Sequence, residues 1–239
     1  MAEIVNLGSL YINGQPIDLG VEYNGEVLSF GNTILGKTIP FVKWGKLLVA
    51  SQCVCINIRW DELNKAGYIF GRPVKIDGVP YLCRSLKVGE KKNVSNEWDS
   101  ILDDLGEDDG LWHWSDGYFW GQETSRHLTS NRAVRGWVSA RYWYSHYAAT
   151  GRHVDVGFRP ALEPLPPAPP ISDSLIGATL KLYGPSKAFS GRLEEFSDYD
   201  LVIEPSAQQL IPADCKWVSR DGSRIIIDRS AITWIQEVD

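Results

Sequence analysis

Trp98 to Ser125 reads W-D-S-I-L-D-D-L-G-E-D-D-G-L-W-H-W-S-D-G-Y-F-W-G-Q-E-T-S. The chain continues through Val134–Trp143 (V-R-G-W-V-S-A-R-Y-W) to Val156–Leu162 (V-G-F-R-P-A-L). Six of the ten tryptophans fall in this region: Trp98, Trp112, Trp114, Trp120, Trp137 and Trp143. An indole buries a large apolar area and carries one N–H that needs a partner. So much Trp beside so much Gly predicts a core assembled from short elements and turns.

Just upstream, Asn96 is placed to cap a short helix over Glu97–Leu105, with Trp98, Ile101, Leu102 and Leu105 on its apolar face. From Ile4 to Gly36, the pairs Asn13-Gly14, Asn24-Gly25 and Gly31-Asn32 supply the positive φ of hairpin turns and predict small antiparallel strands. Phe41–Ser51 predicts one strand, and Cys53–Ile58 another. Trp60–Ala66 predicts one or two helical turns stopped by Gly67, and Val74–Leu86 a hairpin turning at Asp77-Gly78.

Downstream, Leu162–Ile171 (L-E-P-L-P-P-A-P-P-I) holds five prolines and favours an extended spacer. The expected organisation is a domain at 1–162, a Pro-rich linker at 163–172 and a second domain at 173–239. Strand patterns at Ala178–Tyr183, Phe189–Phe196, Asp200–Glu204, Arg224–Asp228 and Ile232–Ile235 predict a five-stranded closed barrel in the second domain, because closure removes exposed edges.

A net charge of -6 argues against a general polyanion binder, since counterion release needs clustered Lys and Arg. Residues 173–239 carry seven basic and eleven acidic side chains, so neither part of the chain is basic. No apolar run approaches the roughly 20 residues that span a bilayer, and the N-terminus lacks a basic stretch followed by an apolar core. Cys53, Cys55, Cys83 and Cys215 read as reduced thiols, with the Cys53/Cys55 pair as core rather than a metal or redox site.

The acidic run Asp99, Asp103, Asp104, Glu107, Asp108, Asp109 lacks the alternating ligand spacing of a calcium loop and reads as a helix end and a solvated loop. His113 has Glu97, Asp99 and Glu123 near it in sequence, a set able to hold a metal or move a proton, although a buried structural histidine is the commoner outcome. Tyr118, Trp120, Trp137, Tyr142, Trp143, Tyr144 and Tyr147 exceed what a core this size needs. Tyr and Trp dominate recognition surfaces. The candidate ligand-binding residues are therefore Trp112, Trp114, Trp120, Arg141, Tyr142, Trp143 and Tyr144.

The segments Val134–Trp143 and Gly157-Phe158-Arg159-Pro160, together with Leu28–Gly31 and Tyr81–Arg84, resemble the C-type-lectin-like fold of the formylglycine-generating-enzyme superfamily and its bacterial and phage relatives. No cysteine lies between Cys83 and Cys215 to supply that family's metal pair, and the calcium-lectin motifs are missing. Residues 175–238, through Gly191–Glu204 and Ile225–Ile235, resemble the Sm-like barrel of the bacterial host-factor riboregulator, with an insertion at 205–222. Gly191, Leu193 and Phe196 fall at its glycine and apolar positions. Together the resemblances imply an α+β chain, a C-type-lectin-like domain followed by a Sm-like barrel.

They further imply a non-catalytic, phage- or prophage-encoded binding protein. Its aromatic face would meet a host or phage protein, or a small ligand, in adhesion, phage–host interaction or defence evasion. The barrel would make it a homo-oligomer. The expected compartment is the host cytoplasm, with virion association as the alternative. No membrane partner, cofactor, metal or catalytic residue is assigned. One alternative is RNA binding through Asp200 and Arg229, aided by Lys187 or Arg220; the acidic charge and Ser230, where the riboregulator has histidine, weigh against it. The other is a metal-assisted enzyme of the formylglycine-generating type using His113.

Overall fold

The computed structural model describes residues 2–185, 187–213 and 215–238. It divides into two compact units, Met1–Leu165 and Pro166–Asp239. Strand accounts for 44% of the chain and helix for 11%, which corrects the α+β expectation to mostly β. The helices read at Trp60 and Glu97 do form, but at six and nine residues they are patches on sheets, not a layer. Helices this short owe their stability to tertiary packing.

The first unit opens with β1 (Ile4–Ile12), β2 (Gln15–Pro16), β3 (Val21–Glu22), β4 (Leu28–Gly31), β5 (Thr38–Trp44), β6 (Leu47–Ala50) and β7 (Cys55–Ile56). Next come α1 (Trp60–Lys65), β8 (Arg72–Ile76), β9 (Val79–Arg84), α2 (Glu97–Leu105) and α3 (Asp109–Trp112). It closes with β10 (Tyr118–Thr124), β11 (Asn131–Gly136), β12 (Ser139–Ala148), β13 (Val156–Phe158) and β14 (Ala161–Pro164). One sheet has the order β2-β1-β5-β6-β14-β9-β8, with β4 also on β1; the other runs β12-β11-β10-β13-β7-β3.

Turn chemistry sets several of these boundaries. Asp77 (φ 50°) and Gly78 (φ 84°) join β8 to β9 through a two-residue hairpin, as their sequence predicts. Gly45, at φ 57°, breaks the single strand expected over Phe41–Ser51 into the β5–β6 hairpin, with Trp44 opposite Leu47. The side chain of Asn96 accepts from the Asp99 N–H at 2.9 Å and starts α2, which buries Trp98, Ile101 and Leu102. At the far end, Glu163 and Pro164 pair with Leu82 and Tyr81, so sheet structure runs into the proline-rich segment.

Tryptophan organises the first unit's interior, where four buried indole N–H groups each find a carbonyl: Trp60 donates to Gly121, Trp98 to Ala140, Trp112 to Gly106 and Trp120 to Ile58, at 2.8 to 3.0 Å. Trp98 meets Trp112 and Phe119 edge-on at 5.0 and 5.1 Å between ring centroids. Arg159 of the G-F-R segment is wholly interior. It donates to the carbonyls of Ala50, Ser51 and Trp112 and lies over Phe119 at 4.8 Å. Burial lowers its pKa to about 10, partly offset by the charges of Asp116 and Asp109.

The second unit holds β15 (Thr179–Tyr183), β16 (Ala188–Phe196), β17 (Asp200–Pro205), β18 (Val218–Asp221), β19 (Arg224–Asp228) and β20 (Trp234–Glu237). Their order is β18-β19-β17-β16-β15-β20. The five-strand expectation is thus corrected to six: β18 forms inside the 205–222 segment, where sequence shows an insertion without strand alternation. Among the described residues no pairing joins β18 to β20, so the expected closure by strand pairing is not seen. Leu180, Leu182, Phe189, Leu193, Leu201, Ile203, Ile225 and Ile227 fill its core. Gly191 sits where an added Cβ would meet the Glu204 carbonyl oxygen at 2.4 Å.

Candidate binding site

Side chains alternate across a strand, so β12 sends Tyr142 and Tyr144 to one face and Arg141 and Trp143 to the other. A bulge then changes the phase. Val134 pairs with Tyr144 and Arg132 with Tyr147, two residues on β11 against three on β12. Tyr147 therefore rejoins the face that carries Tyr144, and their rings meet edge-on at 5.5 Å.

On that face the rings form a row. Trp137 stacks on Tyr118 at 5.6 Å and 19°, Tyr118 on Tyr144 at 5.8 Å and 21°, and Tyr144 on His146 at 4.8 Å and 20°. Tyr142 lies parallel to Tyr144 at 6.3 Å, while Tyr147 stands edge-on to Tyr118 and has His153 at 4.2 Å. Near-parallel rings at these separations are offset-stacked. Tyr118, on which the others converge, is itself buried. The row's accessible part is therefore Trp137, Tyr142, Tyr144 and His146, whose stacked faces partly cover one another and leave edges and hydroxyls outward. Tyr147 donates its hydroxyl to the Asp155 carboxylate. Burial, then Tyr142, Tyr144 and Asp155, push Tyr118 up to about 12, so it stays a neutral phenol at physiological pH.

Trp137 ends the row at the β11–β12 turn. It is 47% exposed with φ 68°, a left-handed conformation that bulky residues seldom adopt. Its N–H donates to the Trp114 carbonyl at 2.7 Å, which ties the turn to the segment after α3. Non-glycine residues held in this region cluster at ligand-contacting sites.

The opposite face is occupied differently. Arg141 pairs with Asp103 at 2.7 Å and with Glu107, and lies 3.8 Å from Asp99. Trp143 donates to the Gly89 carbonyl at 2.9 Å. Beneath them the buried Arg135 bonds the Val88 carbonyl twice, Asp99 at 2.8 Å, and the Arg141 carbonyl. The expected single patch from Arg141 to Tyr144 is therefore two half-patches on either side of one strand. Trp112 and Trp120 are core and cannot touch a surface ligand. Trp114 is half-buried, its N–H given to Glu107.

Sequence reasoning left out His146 and Asp155. The Tyr142, Tyr144, His146 spacing of two is the signal that would have found the histidine; nothing in the sequence announces that Asp155 meets Tyr147. The acidic run lies on α2 and in the largely exposed turn after it, and several of its carboxylates also take partners within the fold. Asp99, Asp103 and Glu107 take Arg141, Asp104 accepts from Trp44 at 2.7 Å, and Asp109 accepts from Ser115. His113 is half-exposed in a left-handed turn, 3.8 Å from Asp116 and not beside Glu97 or Glu123. Among the described residues no three His, Cys, Asp or Glu side chains gather in a metal-holding group. Burial pushes Cys53 up to about 11 and raises Cys55 and Cys83 further, so these thiols stay protonated.

In the second unit Asp200 and Arg229 lie at adjoining strand ends. The Arg229 N–H donates to the Tyr199 carbonyl at 2.7 Å, and its guanidinium to Ser197 at 3.0 Å. Tyr199, beside them, is 79% exposed. An open cleft of 510 Å³ is lined by residues 208–211 and 218–220, including Leu210 and Arg220. No described helix is long and apolar enough to cross a membrane. No family model, curated protein or solved structure matches the chain.

Proposed function

We propose that this chain is a non-catalytic binding protein, phage or prophage encoded, whose partner contacts the accessible members of the aromatic row, Trp137, Tyr142, Tyr144 and His146, with the buried Tyr118 as their support. The observation that carries this reading is Trp137 itself, a large ring held in a disfavoured backbone conformation at a solvent-facing turn and stacked at the end of that row. Edges and hydroxyls in a rigid array are how tyrosine-rich recognition surfaces work: much contact area, little rotamer entropy to lose. A protein partner suits such a surface better than a flat ligand seeking exposed ring faces. The resemblance of Val134–Leu162 to a family whose metal-holding cysteines this chain lacks favours binding over catalysis.

The test compares wild-type protein with a Trp137→Gly/Tyr144→Ser variant, both immobilised and exposed to lysate of a candidate host. The expected outcome is a protein retained by the wild type and lost by the variant, with the two unfolding at similar urea concentrations. Identical retention by both would refute the aromatic row as the contact.

A second reading, nucleic-acid binding by the second unit, is favoured by Tyr199 projecting beside Asp200 and Arg229, since an exposed ring next to a guanidinium suits stacking on bases. The unit's excess of acid opposes it. Homo-oligomerisation through this unit remains part of the proposal; light scattering at micromolar concentration is its measurement, and a strict monomer would remove it.

A further inference from the structure

Edge strands expose unpaired N–H and C=O groups, and proteins keep them short, interrupted or covered. By length, one terminal strand of these sheets stands apart. Their terminal strands β2 and β3 have two residues each, β18 and β20 four each, and β8 has five with a proline at its second position. β12 ends its sheet with ten residues and contains no Pro, Gly or Lys. Among the described residues it pairs only with β11. Its centre, Arg141, Tyr142, Trp143 and Tyr144, is half-exposed on both faces, as a strand waiting for a lateral neighbour would be.

We infer that the free edge of β12 takes an extended segment of a partner polypeptide as an added strand, one that alternates basic and apolar residues. This rests on the binding role proposed above and names the kind of partner. Strand addition draws affinity from main-chain hydrogen bonds and specificity from alternate side chains. It is also the docking mode that reaches both half-patches at once, because residues of an added strand turn alternately to the two faces. One set meets Tyr142, Tyr144 and the aromatic row. The other meets the α2 side, where Asp99, Asp103 and Glu107 outnumber the guanidiniums of Arg135 and Arg141. Apolar residues suit the first surface and cations the second.

A second copy of this chain is the less suitable occupant. β12 departs from regular register twice, between Arg132 and Val134 and between Arg135 and Gly136 of its partner strand. Bulges twist an edge and blunt it against rigid strands. The carbonyls of Ala140, Arg141 and Ser145 are already taken by Trp98, Arg135 and Asn131. What remains is a short accessible stretch around Tyr142–Tyr144, which a flexible peptide can follow and an equally kinked copy cannot.

The experiment titrates the full chain into a fluorescein-labelled, end-blocked peptide of five Lys-Val repeats, read by anisotropy, with hydrogen exchange followed at the β12 amides. Controls are a Lys-block/Val-block peptide of equal charge, a Glu-Val repeat, and Lys-Val peptides N-methylated on alternate residues in either phase. The expected result is saturable binding of the Lys-Val repeat, slowed exchange within Tyr142–Tyr144, and a loss of about tenfold or more for one N-methylated phase. Binding by the block or Glu-Val peptide equal to that of the repeat would overturn the inference. So would indifference to N-methylation, unprotected β12 amides, or β12 protection in a peptide-free dimer. Tyr144→Ser separates this from the broader reading. If that change alters lysate capture while N-methylation has no effect, the aromatic contact stands and strand addition falls; the reverse pattern sinks the aromatic row and keeps the edge.

Discussion

Trp137 stacks on Tyr118 with ring centroids 5.6 Å apart and planes 19° from parallel, and it does so from a left-handed backbone position. The two facts pull stability in opposite directions. A left-handed residue other than glycine costs about 1–2 kcal/mol, whereas an aromatic pair contributes about 0.5–1.5 kcal/mol beyond its buried area.

Replacing Trp137 by glycine removes both contributions. The expected change in unfolding free energy is under about 1 kcal/mol by urea titration, because the relieved strain offsets the lost stack. Trp137→Ala keeps the strain and loses the ring, so it should be the less stable of the two by about 1 kcal/mol. A glycine variant that unfolds well before the alanine variant would show that the turn is not strained.

Arg135 and Arg141 are six residues apart and share Asp99, yet their substitutions should differ sharply. Arg135 is almost fully buried and satisfies the Val88 and Arg141 carbonyls as well as Asp99. Arg135→Ala strands the two buried carbonyl acceptors and takes one partner from the partly buried Asp99, a change that costs about 3 kcal/mol. Arg141 pairs with Asp103 and Glu107 at the surface, where ion pairs contribute about 0–1 kcal/mol. Chemical denaturation of both alanine variants checks the contrast; equal losses would contradict the assignment of one to the interior and the other to the rim.

That contrast also marks how much the sequence can tell. The Asn96 cap, the Asp77-Gly78 hairpin and the burial of Trp98 follow from local chemistry, and local chemistry is written in neighbouring letters. Which of two nearby arginines is interior depends on α2 packing under β12, a relationship that no window of sequence contains. The same holds for the aromatic face. The richness of Arg141–Tyr147 in rings is legible, but a period of two splits Tyr142 and Tyr144 from Arg141 and Trp143, and only the bulge opposite Arg132 and Val134 returns Tyr147 to the first set. Trp112 and Trp120 resemble Trp137 in composition and context; burial alone separates them. β18 was hidden because residues 205–222 show no alternation, and its pairing comes from β19.

Glu97 gives the first unit a pH dependence whose sign can be worked out. Burial raises its pKa, but the two hydrogen bonds and charge of Arg84, with the Lys87 N–H, outweigh burial and hold it below the ordinary value of 4.5. A carboxylate whose folded-state pKa is depressed contributes stability that is present above its unfolded pKa and disappears as pH falls through the folded one. The pair is mostly screened from solvent, with side chains 10% and 15% exposed. Glu97→Gln should therefore lower stability at pH 7 by at least about 2 kcal/mol, since it leaves Arg84 short of charge-assisted bonds in the interior. The gap between wild type and variant should narrow progressively as pH falls below 4.5, because protonation then removes from the wild type what the substitution removed from the variant. Glu123 acts in the opposite sense: burial raises its pKa despite the backbone N–H groups it accepts, so its contribution grows as the solution is acidified and partly masks the loss in the wild type. Melting curves of wild type, Glu97→Gln and Glu97→Gln/Glu123→Gln between pH 3 and 7 separate the two groups. A gap between wild type and Glu97→Gln that stays constant across that range would mean that Glu97 is not held as a carboxylate by Arg84.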